Sequence, residues 1–165
     1  MTDIQILATG PEFVKRGLRG TQPVIEQLIK NADRFIHILA YKFGPDINMW
    51  NLLEDRLERG VKVTIVASKN EQIKPVLEKL ESFEQKFKEN FLMADFQNAE
   101  GGLLHAKVIV VDRKKAVIGS ANFSKGGMKN HYELGVLIND ESHAWELANL
   151  IEILKDSYLT SKTNR

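Results

Sequence analysis

Four side chains in one short stretch carry the chemistry to hold an anion. His105 and Lys107 stand two apart in the apolar run Leu104-His105-Ala106-Lys107-Val108-Ile109-Val110-Val111-Asp112. Ser120 and Asn122 stand two apart just beyond a second run, Ala116-Val117-Ile118-Gly119. Alternate residues of a strand share a face, so His105 and Lys107 are expected to point one way, as are Ser120 and Asn122. An imidazole, an ammonium, a hydroxyl and an amide are then available to one anion.

The polar stretch 112–115 separates two β-rich runs, which predicts a hairpin. A loop centred on Arg113-Lys114 sets Val111 opposite Ala116, Ile109 opposite Ile118, Lys107 opposite Ser120 and His105 opposite Asn122. Apolar then meets apolar and polar meets polar. A slip of one residue would put Lys107 opposite Gly119 or Ala121 and turn a whole strand over.

Residues 103–124 resemble the signature of the phospholipase D superfamily, His-x-Lys-(x)4-Asp followed by Gly-Ser-x-Asn, and Asn130-His131-Tyr132-Glu133 is similar to the family's downstream Asn-x-x-Glu. The resemblance implies a mixed central β-sheet flanked by helices on both faces, the α/β/α sandwich of a phospholipase D-like domain. It also implies a metal-independent phosphodiesterase that needs no cofactor.

The elements that must position these residues alternate between helix and strand. Thr21 is a candidate cap for a helix carrying Val24, Ile25, Leu28 and Ile29, and residues 34–43 follow as a strand. Asp46 is a candidate cap for a second helix that Gly60 ends, ahead of a strand over 61–66. Ile73, Val76, Leu77, Leu80, Phe83 and Phe87 form the stripe of an amphipathic helix, with a strand over 91–96 next. The motif hairpin adds two strands and 133–138 a sixth, before a final helix capped by Ser142 and running through Leu154. That order is α/β, and the motif strand, apolar on both sides, belongs in the middle of the sheet.

With 165 residues, 43% hydrophobic and 27% charged, the chain is read as one globular domain over 1–165. The lack of cysteine excludes disulfides and thiolate metal sites. The N-terminus lacks a basic region and a continuous apolar core, and no apolar run approaches a transmembrane span, so a soluble cytoplasmic protein is expected. The net charge is only +1, but between Gly101 and His131 six positive side chains face Asp112 alone, a local +5. Such a cluster around the motif would attract a polyanion.

A histidine nucleophile divides one displacement at phosphorus into two through a phosphohistidine, and the leaving alkoxide needs a second imidazole as general acid. His37, His131 and His143 are the other histidines, and none is followed by a lysine two residues on, so each is read as a core or surface residue. The chain thus holds one half of a two-histidine site. Short family members with one motif form homodimers that share a site, and the resemblance implies the same here, with His105 of each subunit on opposite sides of one phosphorus. Lys107 and Asn122 are assigned to the non-bridging oxygens, with Ser120 adding a hydrogen bond and Lys125 contributing to substrate binding. Glu133 is assigned to orienting His105 through its other ring nitrogen. Asp112 and Gly119 are read as structural members of the motif.

The expected substrate is nucleic acid, DNA ahead of RNA, because short single-motif members of the family are often nucleases. A phospholipid head-group hydrolase has the same chemistry, but no basic amphipathic helix or anchor is present and no stable membrane association is expected. A non-catalytic nucleic-acid-binding or assembly module that keeps the fold is a third reading, and it has no need of His105. Gly126-Gly127 fits neither glycine-rich phosphate-loop pattern, and Tyr41 and Phe43 are candidates to line the cleft.

Overall fold

A computed structural model describes residues 3–160, and residues 1–2 and 161–165 of the expected domain lie outside them. Among the described residues eight strands form one sheet: β1 (Asp3–Thr9), β2 (Arg19–Gly20), β3 (Phe35–Leu39), β4 (Lys62–Ala67), β5 (Phe91–Asp95), β6 (Val108–Val111), β7 (Lys115–Gly119) and β8 (Glu133–Asn139). Their order is β2-β1-β8-β7-β6-β3-β4-β5. β3, β4 and β5 pair in parallel, while β1, β8, β7, β6 and β3 pair antiparallel in turn. The helices are α1 (Pro11–Lys15), α2 (Thr21–Lys30), α3 (Met49–Glu58), α4 (Lys74–Lys86) and α5 (Glu141–Thr160).

The apolar pattern of each element assigns it to a face. Val24, Ile25 and Ile29 of α2, Leu53 and Leu57 of α3, and Val76, Leu80 and Phe83 of α4 pack on Ile36, Ile38, Ile65 and Ile109. On the other face Ala144, Ala148 and Ile151 of α5 pack on Val66, Val108, Val110 and Ala116. The two alanines are one helical turn apart and let α5 lie close to the strands. β6 is buried along its whole length, with Ile109 and Val111 in one core layer and Val108 and Val110 in the other. Each such side chain contributes roughly 1.5–3 kcal/mol, which is why a four-residue strand holds the centre of the sheet. The expected α/β sheet with helices on both faces is what the chain forms.

Several expected boundaries differ. β1, β2 and α1 were not anticipated, since β1 is half exposed and lacks a clean alternation. The strand expected over 34–43 stops at Leu39, and Phe43 keeps only an isolated bridge to Phe123. None of the three expected caps is one. The Thr21 hydroxyl is buried with no hydrogen-bond partner among the described residues, and Asn48, not Asp46, precedes α3 without a side-chain cap. The Asp140 carboxylate, not Ser142, accepts from the His143 N–H at 3.0 Å. Gly60 does end α3, at φ 84°, with its own N–H on the Leu57 carbonyl and that of Val61 on the Arg56 carbonyl. This closes the helix in a Schellman motif.

The hairpin register is also corrected by one residue. Val111 pairs with Lys115, Val110 with Ala116 and Val108 with Ile118, so the loop is Asp112–Lys114 and is centred on Arg113. Asp112 and Arg113 both take positive φ, 53° and 58°, and the Lys114 N–H closes the turn on the Val111 carbonyl at 3.0 Å. Positive φ is tolerated by Asp and is costly for Arg. Asp112 offsets that cost with its side chain, which accepts from the N–H groups of Asp33 (2.9 Å), Arg34 (2.7 Å) and Phe35 (2.9 Å).

Asp112 therefore ties the hairpin tip to the start of β3. Asp112→Ala leaves three backbone donors without this acceptor and is expected to lower stability by about 2–4 kcal/mol. Asp112→Asn keeps one acceptor oxygen and is expected to lose about half as much. Urea denaturation measures both, and an Asp112→Ala midpoint equal to wild type would contradict the assignment.

Candidate active site

The residues singled out by type converge at one end of the sheet, where β3, β7 and β1 finish and β6 and β8 begin. His105 and Lys107 are not on the strand, which starts at Val108. They lie in the segment leading into it, and the shifted register sets Lys107 opposite Gly119, whose N–H donates to the Lys107 carbonyl at 3.3 Å. His105 and Lys107 nevertheless meet, because the lysine folds back. Its ammonium donates to the His105 carbonyl at 2.7 Å and lies 2.9 Å from Nδ1 and 3.3 Å from Nε2 of the ring. Lys107 is only 7% exposed, whereas His105 is open to solvent. Burial pushes the Lys107 ammonium below the ordinary lysine range, against the opposing pull of the Glu133 carboxylate.

Tyr41 completes this pair. Its ring packs on His105 with centroids 4.6 Å apart and a tilt of 45°, and the Lys107 ammonium lies 5.3 Å from the Tyr41 centroid. The loop carrying Tyr41 is braced by Gln72, a buried amide. Gln72 donates to the Tyr41 carbonyl at 2.8 Å and to the Ser68 carbonyl at 3.0 Å, and accepts from the Phe43 N–H at 2.9 Å. Phe43 itself is core, stacked 5.7 Å from Phe123 and 5.1 Å from Trp50. Of the two aromatics considered for the cleft, Tyr41 touches the candidate nucleophile and Phe43 does not.

Ser120 and Glu133 form a second pair. The Ser120 hydroxyl donates to Glu133 Oε2 and accepts from the Leu134 N–H at 3.2 Å, while the Ser120 N–H donates to the Leu134 carbonyl at 3.0 Å. The Ser120 proton is thus committed to Glu133. Within the subunit Glu133 engages Ser120 and lies 3.7 Å from His131 Nδ1, so its contact is not the His105 ring nitrogen assigned to it from sequence. Its charge reaches Lys107 instead.

Asn122 and Gly119 owe their places to close backbone approach. A Cβ on Gly119 would sit 2.9 Å from the Leu134 carbonyl oxygen and 3.0 Å from Gly135 Cα, so β7 and β8 meet here only without side chains. Gly126–Asn130 form a π-helical turn, closed by the His131 N–H on the Gly126 carbonyl at 2.8 Å. Gly127 lies against Asn122, where a Cβ would come within 2.7 Å of the Asn122 nitrogen and closer still to its carbonyl oxygen. Gly127 is therefore a packing device that sets Asn122, and π-turns recur at functional sites. The Asn122 Oδ1 is buried and has no hydrogen-bond partner among the described residues. A buried amide oxygen without a partner is a group available to a ligand.

Lys125 is exposed at the start of this turn and borders a cavity of about 240 Å³ with Lys129, Asp46 and Asn48. Neither lysine touches the His105–Lys107 pair. The other histidines stand apart in chemistry. His37 is buried, 2.9 Å from Glu152, and burial drives its pKa below the ordinary histidine range despite that carboxylate. His143 pairs with Asp140 at 2.7 Å. His131 is exposed, over Gly126. Among the described residues no group of three or more acidic or histidine side chains could hold a metal ion.

Sequence reasoning missed Tyr41's contact, Gln72 and the reason for Gly127. It also placed the whole basic cluster around the motif. Arg113, Lys114 and Lys115 belong to the hairpin tip, and β6 spans the sheet between them and Lys107, a separation of roughly 17 Å at about 3.3 Å per residue.

Residues 25–154 match the family described as "Cardiolipin synthase, PLD-like domain". The chain is 32% identical over 160 residues to the DISARM protein DrmC of Bacillus paralicheniformis, covering 95% of this chain and 65% of that protein. It is 24% identical to cardiolipin synthase A of Yersinia pseudotuberculosis over 94% of this chain and 30% of that protein. The chain thus spans just under two thirds and under one third of these relatives. In fold it is similar to Nuc, a phospholipase D family member from Salmonella typhimurium, with a TM-score of 0.76, 21% identity and 96% of each chain covered. The family match runs through His105, Lys107, Asp112, Ser120, Asn122 and Glu133, and the chain belongs to the PLD-like domain family of the phospholipase D superfamily.

Proposed function

We propose that this chain is a phosphodiesterase that hydrolyses DNA through a phosphohistidine on His105, at a site shared between two copies of the chain. The observation that carries the reading is the exposed His105 imidazole, flanked by Tyr41 and held within 2.9 Å of a buried lysine ammonium. A neutral ring with its lone pair free is a nucleophile, and the adjacent cation neutralises a phosphate as it arrives. Attack forms a nitrogen–phosphorus bond as the bond from phosphorus to the leaving oxygen breaks, and water then releases the phosphate. Lys107 and Asn122 supply donors to the non-bridging oxygens, and Ser120 joins them once its proton leaves Glu133.

The leaving oxygen needs a proton that this subunit's other histidines are poorly placed to give. His37 is in the core, His143 is on the first turn of α5 and pairs with Asp140, and His131 lies over Gly126 with its Nδ1 3.7 Å from Glu133. A twofold axis beside the site supplies the second imidazole as His105 of the partner. Lys42, Lys125 and Lys129 are exposed at this end and favour a polyanion. A phospholipid head-group hydrolase is the second reading. It is favoured by the family description and by the identity to cardiolipin synthase A. Among the described residues no helix is long and apolar enough to cross a membrane.

Plasmid, single-stranded DNA, RNA and phosphatidylcholine vesicles incubated with the protein in EDTA separate these readings. DNA cleavage is expected, lost by at least ~10³-fold in His105→Ala. Release of choline without DNA cleavage would replace the first reading by the second, and a requirement for added magnesium would end the metal-free mechanism. After subunit exchange with an equal amount of His105→Ala, activity per wild-type subunit is expected to fall to about half, because half of those subunits face a partner without the imidazole. Full activity in a monomer, or loss in His131→Ala equal to that in His105→Ala, would refute the shared site.

The depressed Lys107 pKa sets an alkaline limit. As pH rises through it the ammonium loses its proton and the phosphate loses a counter-charge, so activity is expected to fall at a pH where an exposed lysine is still charged. Lys107→Arg, which stays charged, is expected to move that limb upward while lowering the maximum rate. An unchanged limb in a pH–rate profile would show that another group sets it.

A further inference from the structure

Three basic residues of the hairpin tip, Arg113, Lys114 and Lys115, remain unexplained by the active site, which lies at the other end of β6. Arg113 turns to the α5 face, where its guanidinium lies 4.9 Å from the centre of the Phe35 ring. Lys114 and Lys115 go the other way. With Arg19 they line a cavity of about 370 Å³ between the sheet and the C-terminal half of α2. That volume lies in the range of small-molecule sites.

The lining of this cavity is specialised. Among the described residues three cations face it and Asp112 is its one acidic residue, with both carboxylate oxygens occupied by the N–H groups of residues 33–35. The end of α2 contributes a dipole equivalent to about half a negative charge, which three cations outweigh. Arg19 is pre-oriented, because its guanidinium donates to Gln5 Oε1 at 2.8 Å and more weakly to Gln27 Oε1 at 3.4 Å. Two contacts leave further donors of its fork for a ligand. Asp3 bonds the Asn139 amide at 2.9 Å on the rim and does not line the cavity. The walls add the carboxamides of Gln27 and Asn31, set against the aliphatic side chains of Leu28 and Leu137.

We propose that this cavity is a second ligand site and takes a nucleoside monophosphate. Arg19, Lys114 and Lys115 meet the phosphate, which a planar guanidinium and two ammonium groups recognise by charge and by hydrogen bonds. Gln27 and Asn31 meet the base edge, since a carboxamide presents a donor and an acceptor side by side as a base does. Leu28 and Leu137 supply the apolar wall that a ring requires. The assignment is independent of the chemistry at His105.

Titration of the full-length protein with dAMP, followed by backbone amide NMR shifts, tests the proposal. Saturable shifts are expected at Asn31, Lys114 and Asn139, and they should persist unchanged in His105→Ala. Arg19→Gln is expected to weaken that binding by about tenfold or more while leaving any DNA cleavage unaltered. Because Arg19 also bridges Gln5 and Gln27, Lys114→Gln, an exposed position, provides the same test without touching that bridge. Inorganic phosphate is expected to bind at least about tenfold more weakly than dAMP, since it lacks the contacts to the amides and the apolar wall. Shifts confined to residues 105–107 and 119–133, no effect of either substitution, or equal binding of phosphate and dAMP would each overturn the assignment. A loss of duplex DNA binding in Lys114→Gln with dAMP binding intact would also overturn it and give the cations to the polymer. Since His105→Ala and Arg19→Gln act at opposite ends of the sheet, failure at one site is read separately from failure at the other.

Discussion

The Asp112 carboxylate is the constraint on which the placement of the site depends. It joins the tip of the β6–β7 hairpin to three successive N–H groups at the entry to β3. β3 and β6 are where the parallel part of the sheet meets the antiparallel part. Once residues 33–35 and 112 are joined, the pairing of Ile36 with Val111 follows, and so does every pair down to Leu39 with Val108. The next residues on the two chains lead to Tyr41 and Lys107. The 4.6 Å contact between Tyr41 and His105 is therefore set from the far end of the ladder. A slip of one residue would invert the faces of β6 and separate these rings.

This explains how a motif aspartate can be strongly constrained without touching the chemistry. Removing a charge-assisted acceptor from three donors at a strand junction perturbs register before it perturbs any reacting atom. The same logic applies to Gly127, whose lack of a side chain lets the π-turn press on the Asn122 backbone. Around the site polar partners position Tyr41, Ser120 and Lys107: Gln72 for Tyr41, Glu133 for Ser120, His105 for Lys107. The Asn122 Oδ1 and, at the end of β1, the Thr9 Oγ1 are buried and have no such partner among the described residues.

Much of this was legible in the sequence, and the failures are instructive. Burial of β6 on both faces was visible in Val108-Ile109-Val110-Val111, and the helix stripes placed α2 and α4 on the sheet. The convergence of His105, Lys107, Ser120 and Asn122 at one sheet end was legible from motif spacing. The register was not, because it depends on whether a loop has two or three residues, and Asp112-Arg113 in the left-handed region is not what local propensity favours. Nor was the contact of Glu133 with Ser120, since it depends on the separate pairing of β7 with β8, which sets Gly119 opposite Gly135. Helix starts failed for a related reason. Asp140, Asn48 and Gly20 precede their helices, and the nearby Ser, Asp and Thr were equally good candidates on composition.

The basic cluster shows why sequence proximity is a poor guide to electrostatics in a hairpin. Lys107 and Lys115 are eight residues apart, yet a strand carries the chain across the whole sheet between the first and the tip. One positive stretch of sequence thus becomes two separate fields, further apart than the Debye length of about 8 Å at physiological ionic strength. Neither end can steer a ligand to the other through charge alone. At the site end a partly desolvated ammonium is kept beside an exposed imidazole. At the tip Asp112 is consumed by backbone donors, so Arg19, Lys114 and Lys115 gain no internal counter-ion from it. The anchor that sets the register of β6 therefore also leaves its own end of the strand positively charged.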